Sequence, residues 1–287
     1  MEFPTPTVRK ITDVSYDFSG RTVIITGAGR GVGESHAQAF AEAGANLVLC
    51  DLGRRGPGGP TGEISDDLEA TAESCRGATA GGGVLALACD VSDERQVAAT
   101  VQAAVSEFGG IDVLVNNAGM IELAPAVQME EAVWDRVIDV NLKGTWLFAK
   151  HVAPHMIEAG HGRIINTGSG AAILGVPLLA HYTAAKHGVA GLTKALAIEL
   201  APAGITVNYV CPTAISTPLM PEGFKSPHVP ADAGEQLTAL TGSWNLLDNG
   251  MPIAPQEVTN AVLWIASDAS HYMTGAALVI DAGFSCK

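Results

Sequence analysis

The stretch Arg21-Thr-Val-Ile-Ile-Thr26-Gly27-Ala-Gly-Arg30-Gly31-Val32-Gly33 decides the fold. After Arg21, its residues form a short apolar run rich in β-branched side chains, as in a strand buried on both faces. Glycines follow, and Glu34 to Ala43 then reads as a helix. Strand, glycine turn and helix form the context in which such a motif marks a nucleotide site. Bare glycines let the backbone approach a pyrophosphate, and the helix N-terminus favours its charge. The spacing is T-G-x-x-x-G-x-G, at Thr26, Gly27, Gly31 and Gly33. Neither register of G-x-G-x-x-G fits, because one meets Val32 and the other Glu34.

Outward from this unit, strands and helices alternate. Asn46 to Asp51 is a second strand ending in an acid. A carboxylate about 20 residues past the glycine turn accepts hydrogen bonds from ribose hydroxyls and repels a further phosphate. Arg54 and Arg55 leave two readings, phosphate partners or solvated loop charge. Leu52 to Gly62 is a Gly/Pro-rich loop, and a helix is expected from Thr61 to Ala78. Val84 to Asp90 is the third strand, with Asp90 and Val91 bordering an adenine. Asp93 caps a helix to Phe108. Ile111 to Asn116 is the fourth strand, and the small residues of Asn117-Ala118-Gly119 leave room for a cofactor. Met129 to Met156 reads as one long helix. Asn141 inside it is disfavoured, which points to a role or to a helix–helix bond. Gly162 to Ser169, Thr206 to Pro212 and Ala277 to Asp281 complete seven strands, with a helix at Pro255 to Ser267. The expected fold is α/β: one domain, a Rossmann-type, doubly wound, parallel sheet.

Two segments fall outside this pattern. Residues 1–18 carry Pro4 and Pro6 and read as an extended arm before a catalytic domain at 19–287. Thr213 to Pro252 has little periodicity, four internal prolines and apolar Leu219, Met220, Phe224, Trp244, Leu246, Leu247 and Met251. Long irregular segments in compact domains are usually functional, so residues 213–252 are expected to form a substrate lid.

The net charge of −14 argues against nucleic acid and against an anionic membrane surface. The N-terminus has no apolar signal core, and no apolar run reaches membrane-spanning length. Cys50, Cys75, Cys89, Cys211 and Cys286 are odd in number and form no CxxC pair, which fits reduced thiols in a cytoplasmic protein. The eight histidines show no metal-binding spacing; His151 and His155 read as a polar helix face.

The chemistry centres on Tyr182-Thr-Ala-Ala-Lys186. Residues four apart on a helix share a face. A tyrosine is a poor acid, with an ordinary pKa near 10. A nearby cation favours the phenolate. Lys186, a helix dipole and a bound cationic ring are expected to bring Tyr182 towards neutrality as a general acid/base for an alcohol or ketone.

Together TGAGRGVG, NNAG, Asn141, Ser169, Tyr182-x-x-x-Lys186 and Asn208-x-x-x-Pro212 resemble the short-chain dehydrogenase/reductase family over Ser19 to Gly283. The resemblance implies that Tyr182 exchanges the proton and Ser169 orients the substrate oxygen. It implies that Lys186 holds the nicotinamide ribose and that Asn141 positions a water linking Lys186 to solvent. Cofactor contacts carry over to Gly27, Arg30, Gly31, Val32, Gly33, Asp51, Leu52, Asp90, Val91, Asn117, Ala118, Gly119, Tyr182, Lys186, Pro212, Ile215 and Thr217. The chain departs from the family pattern in having Pro212-Thr213 for Pro-Gly, and in an apparent insertion at residues 52–83. Both departures resemble the carveol-dehydrogenase-like, mycofactocin-coupled branch. This implies tightly held NAD, a homotetramer, a mycofactocin-like redox carrier and a neutral, terpenoid-like secondary alcohol or ketone. A noncatalytic NAD-binding sensor on the same fold is the alternative, although such a protein is expected to have lost a catalytic residue. An extended epimerase-type enzyme would need different glycine spacing.

Overall fold

The strands form where apolar, β-branched residues run together. The computed structural model describes residues 14–56, 59–79, 81–219, 229, 232, 233, 235, 246, 247 and 252–286. Their main sheet contains β1 (Thr22–Thr26), β2 (Asn46–Asp51), β5 (Val84–Ala88), β6 (Val113–Asn116), β7 (Gly162–Thr167), β8 (Ile205–Pro212) and β9 (Ala277–Ile280). It is seven-stranded, in the order β5-β2-β1-β6-β7-β8-β9, and each pairing is parallel.

Side chains of a strand alternate between faces, and both faces here are covered. Val23, Ile25, Leu47 and Leu49 pack with α1 (Gly31–Glu42), α2 (Asp66–Ala78) and α7 (Pro255–Ala266). Ile24 and Val48 pack on the other side with α3 (Glu94–Phe108), α5 (Gly144–Ala159) and α6 (Ala180–Leu200). The chain runs from β1 out to β5, then returns to β6 on the opposite side of β1. The loops after β1 and β6 therefore diverge and open a crevice at the strands' C-terminal ends.

Four expectations need correction. The long helix over Met129–Met156 is instead α4 (Glu131–Ile138), a π-helical turn at Asp139–Lys143, and α5. The cause is Asn141, whose amide donates to Val137 O and Met120 O, both at 2.9 Å. Thr145 Oγ1 donates to Asn141 O at 2.9 Å. Side chains that compete for backbone groups in this way disturb the helical ladder. Second, the Leu52–Gly62 loop contains a short antiparallel hairpin, β3 (Arg55–Gly56) with β4 (Gly59–Pro60). Third, α2 begins at Asp66, not Thr61, because Ser65 caps it by accepting from Leu68 N at 3.2 Å. Parallel β2 and β5 need a crossover, and α2 supplies it, so only the hairpin is added to the ordinary connection. Fourth, Phe18, assigned to the arm, belongs to the core: its ring meets Phe40 edge-on at 4.8 Å. Residues 1–13 lie outside the described residues. Among those described, no helix is long and apolar enough to cross a membrane.

Candidate active site

The crevice is lashed together by Thr26 and Asn117. Thr26 Oγ1 accepts from Asn117 N at 3.0 Å and Ala118 N at 2.9 Å. Asn117 Nδ2 donates to Thr26 O at 3.0 Å and Gly27 O at 3.1 Å. This seats the NNAG loop against the glycine turn. Gly27 has φ +65°, and a Cβ there would lie 2.8 Å from Ala118 Cα. A Cβ on Gly33 would lie 2.0 Å from Gly27 O. Side chains are excluded here by backbone, so amides at the start of α1 face the cavity bare, a cradle suited to phosphate.

Asp51 ends β2 with its carboxylate turned to this loop. It accepts from Gly29 N at 2.8 Å and Leu52 N at 2.7 Å. Arg54 pairs with Asp66 and donates to Ile64 O at 3.1 Å. The guanidinium is tied to the first turn of α2 and stays more than half exposed, as solvated loop charge would be. Asp90 Oδ1 accepts from Ser92 N at 2.9 Å and Ser92 Oγ at 2.6 Å.

A single cavity of about 1360 Å³ runs from the glycine turn to the start of α6. All the residues expected to contact cofactor line it except Gly33, which packs beneath the turn. Ser169, Tyr182, Lys186 and Asn141 line its other end. Ser169 caps a 3-10 turn (Gly170–Ala172), accepting from Ala171 N at 3.1 Å. The strand β7 therefore stops at Thr167, two residues short of the expected end. The Ser169 hydroxyl lies on the Tyr182 phenol's side of the cavity and acts to lower its pKa. Lys186 Nζ donates to Thr167 O at 2.7 Å and lies 5.4 Å from the Tyr182 ring centroid. A Cβ on Gly119 would lie 2.9 Å from Asn141 Oδ1 and 3.9 Å from Lys186 Nζ, so both groups converge on that glycine. Asn141 Oδ1 is buried without a hydrogen-bond partner among the described residues.

Within the polypeptide itself, burial opposes the phenolate. Burial pushes the Tyr182 phenol up to about 12, with the Ser169 hydroxyl acting in the opposite direction. Lys186 does not pull it down. Burial costs the ammonium as well and holds Lys186 at about 8. The polypeptide alone keeps Tyr182 a phenol at neutral pH.

The profile described as "Enoyl-(Acyl carrier protein) reductase" matches residues 27–285. D-threitol dehydrogenase of Mycolicibacterium smegmatis is 36% identical over 96% of this chain and 97% of that protein. The chain belongs to the short-chain dehydrogenase/reductase family. The (-)-trans-carveol dehydrogenase of Rhodococcus erythropolis is another member, 36% identical over 93% of this chain and 98% of its own length. Among solved family structures, carveol dehydrogenase from Mycobacterium avium in complex with NAD superposes with a TM-score of 0.82. It shows 31% identity over 95% of this chain and 100% of that one.

Sequence reasoning missed several residues of this family site. Thr26 was read as part of a spacing, yet it joins the two loops of the crevice. Asn116, Asn166 and Thr193 form a buried chain: Asn116 Nδ2 donates to Asn166 Oδ1, and Asn166 Nδ2 to Thr193 Oγ1, both at 2.9 Å. Polar residues in apolar strands were the available signal. Met120, Val176, Leu179 and Phe284 line the cavity near Tyr182, and only their spatial assembly reveals it.

Proposed function

We propose that this short-chain dehydrogenase/reductase uses NAD to oxidise a neutral, apolar, terpenoid-like secondary alcohol, or to reduce the matching ketone, in the cytoplasm. The observation that carries this reading is the single cavity joining the glycine cradle and Asp51 to Ser169, Tyr182 and Lys186. The cradle fits a dinucleotide, since Gly27 and Gly31 sit at positive φ and crowd out side chains. Asp51 would receive the adenosine ribose and disfavour NADP. When bound, NAD supplies the hydride acceptor and a positive ring.

The chain's own residues do the rest. Ser169 and Tyr182 hold the substrate oxygen, and Tyr182 takes or returns its proton at the phenol oxygen. Lys186, anchored on Thr167 O, would hold ribose, and a positive ring beside Tyr182 would favour the phenolate. Asn141 Oδ1, an acceptor lacking a protein partner among the described residues, suits a water leading from Lys186. The hairpin at residues 55–60 would cover the adenosine and slow cofactor release. A mycofactocin-like carrier would then reoxidise the retained cofactor. We take the enzyme to be a homotetramer by family resemblance.

The lid reading at residues 213–252 is supported at two apolar points, whereas Leu246 and Leu247 are more than half exposed and do not line the cavity. Leu219 and Val229 pack on the apolar cluster of Ile121, Val176, Leu179 and Tyr182. Met220, Phe224, Trp244 and Met251 lie outside the described residues. Convergence of four intact catalytic side chains speaks against a noncatalytic sensor. The test is absorbance of reduced nicotinamide with a panel of alcohols and ketones, with an artificial electron acceptor added. Turnover of apolar secondary alcohols is expected. Cofactor binding without any turnover would favour the sensor.

A further inference from the structure

The C-terminal turn carries an aromatic ring to Gly170, the residue after Ser169. After β9, Ala282 at φ +49° and Gly283 at φ +85° reverse the chain. Asp281 locks the reversal: Oδ1 accepts from Gly283 N at 2.9 Å and Oδ2 from Ser285 N at 2.7 Å. Phe284 N also donates to Asp281 O at 2.9 Å. A carboxylate bonded to two backbone amides makes a stiff turn, so Phe284 is held in place rather than trailing.

The held ring lies on Gly170, the residue after Ser169. A Cβ on Gly170 would lie 3.3 Å from both Phe284 Cδ1 and Cε1. Phe284 is 6% exposed and lines the cavity. Among the described lining residues it is the aromatic side chain other than Tyr182. The same turn seats part of the expected lid. Ala282 O accepts from Leu246 N at 2.8 Å, and a Cβ on Gly283 would lie 2.9 Å from Leu246 Cδ1.

We propose that Phe284 is a specificity-determining residue whose ring walls the substrate end of the cavity beside Ser169 and limits the bulk of the alcohol or ketone accepted. This rests on the reading that Ser169 and Tyr182 hold the reacting oxygen. The groups attached to the carbinol carbon then lie next to Ser169 and Gly170, against the ring. Adjusting an apolar pocket by one methylene changes discrimination by about 10- to 200-fold. Removing a phenyl ring reaches at least the lower end of that range.

The experiment compares Phe284→Ala, Phe284→Leu and wild type on a compact pair, cyclohexanol and cyclohexanone, and a bulky pair, a decalol and a decalone. Three quantities are read: kcat/KM, calorimetric Kd of each ketone for the NADH-loaded protein, and Kd for NAD. In Phe284→Ala the bulky-to-compact ratio of kcat/KM should rise about tenfold or more, with the ketone Kd ratio moving the same way. NAD affinity should stay unchanged, and Phe284→Leu should fall between. Gly170→Ala, whose methyl presses the ring, should shift the ratio in the opposite direction. A uniform change across both pairs would overturn the proposal and leave Phe284 a packing residue. Should Phe284→Ala fail to fold, Phe284→Leu and Gly170→Ala decide on the same ratios. If wild type turns over neither alcohol, the catalytic reading fails separately, and the ketone Kd ratios alone decide the wall. A shifted ratio upholds it; an unshifted one sinks it.

Discussion

The two ends of the cavity are built on different principles. The nucleotide end is backbone: Gly27, Gly31 and the start of α1, lashed to NNAG through Thr26 and Asn117. It comes from short contiguous segments at the tips of adjacent strands. The substrate end is side chains, drawn from the loop after β6, the turn after β7, the start of α6, the described lid residues and the C-terminal turn. A backbone site tolerates almost no change at its glycines and is indifferent to most neighbours. A side-chain site can be recut one residue at a time. The difference teaches where binding is shared across a family and where specificity is adjusted.

The largest expected effect breaks the substrate end alone. Tyr182→Phe should lower kcat by about 10²- to 10⁴-fold, the scale of general acid–base catalysis, while NAD titration stays near wild type. Nearly normal kcat in a folded variant would sink the assignment of Tyr182.

The next effect is on stability; its sign is the same at both ends, and its pH window differs. His36 on α1 is buried with Nδ1 2.8 Å from Thr259 Oγ1, and burial lowers it to about 3 from an ordinary 6.5. Below pH 6.5 the unfolded chain takes up a proton that the native state refuses. Stability should therefore fall by about 1.4 kcal/mol per pH unit from pH 6.5 towards 3. Lys186, held at about 8 from 10.5, gives a gain in stability as pH rises between those values, because the native state there releases a proton the unfolded chain keeps. Urea melts of His36→Leu and Lys186→Met against pH should each remove one slope, acid and alkaline respectively. Unaltered slopes would mean the burial is relieved by local opening.

Gly27→Ala tests the backbone end. A residue forced to φ +65° against Ala118 costs about 1–3 kcal/mol. NAD affinity should fall roughly 10- to 100-fold, whereas the Phe284-dependent size preference should survive. Loss of both together would show that the two ends are not separable.

Asp51→Ala should narrow the preference for NAD over NADP by about tenfold, the scale of one charge-assisted hydrogen bond. A wild type that prefers NADP in kcat/KM would overturn the ribose role and return attention to Arg55. The smallest effect concerns the hairpin. Trimming residues 54–60 should speed NAD dissociation several-fold in stopped flow, since affinity changes act mostly on off-rates. An unchanged rate would reduce the hairpin to a surface feature.

The nucleotide end was legible because its information is local. Gly27, Gly31 and Gly33 announce a turn whose geometry needs them, and Asp51 follows one strand and one helix later. Tyr182 and Lys186 were legible for the same reason, a four-residue helical repeat. The π-turn at Asn141 was not. A lone polar residue in an apolar helix signals a disturbance but not its form, and the form depends on Met120 O arriving from another loop. The charge balance at Tyr182 was not legible either: adjacency to Lys186 is visible in the chain, but burial of both groups is not.

The doubly wound parallel sheet, the glycine cradle and the placement of Tyr182 and Lys186 on one helix face follow from the amino-acid order alone, because each rests on periodicity or on spacing within one turn. The folded structure decided which apolar side chains face the reacting oxygen, that Arg54 is engaged by Asp66, and that Phe284 reaches Ser169's neighbour from the far end of the chain. Those facts depend on contacts between residues more than a hundred positions apart in the case of Phe284 and Gly170, and no local rule relates such positions until the sheet brings their strands side by side.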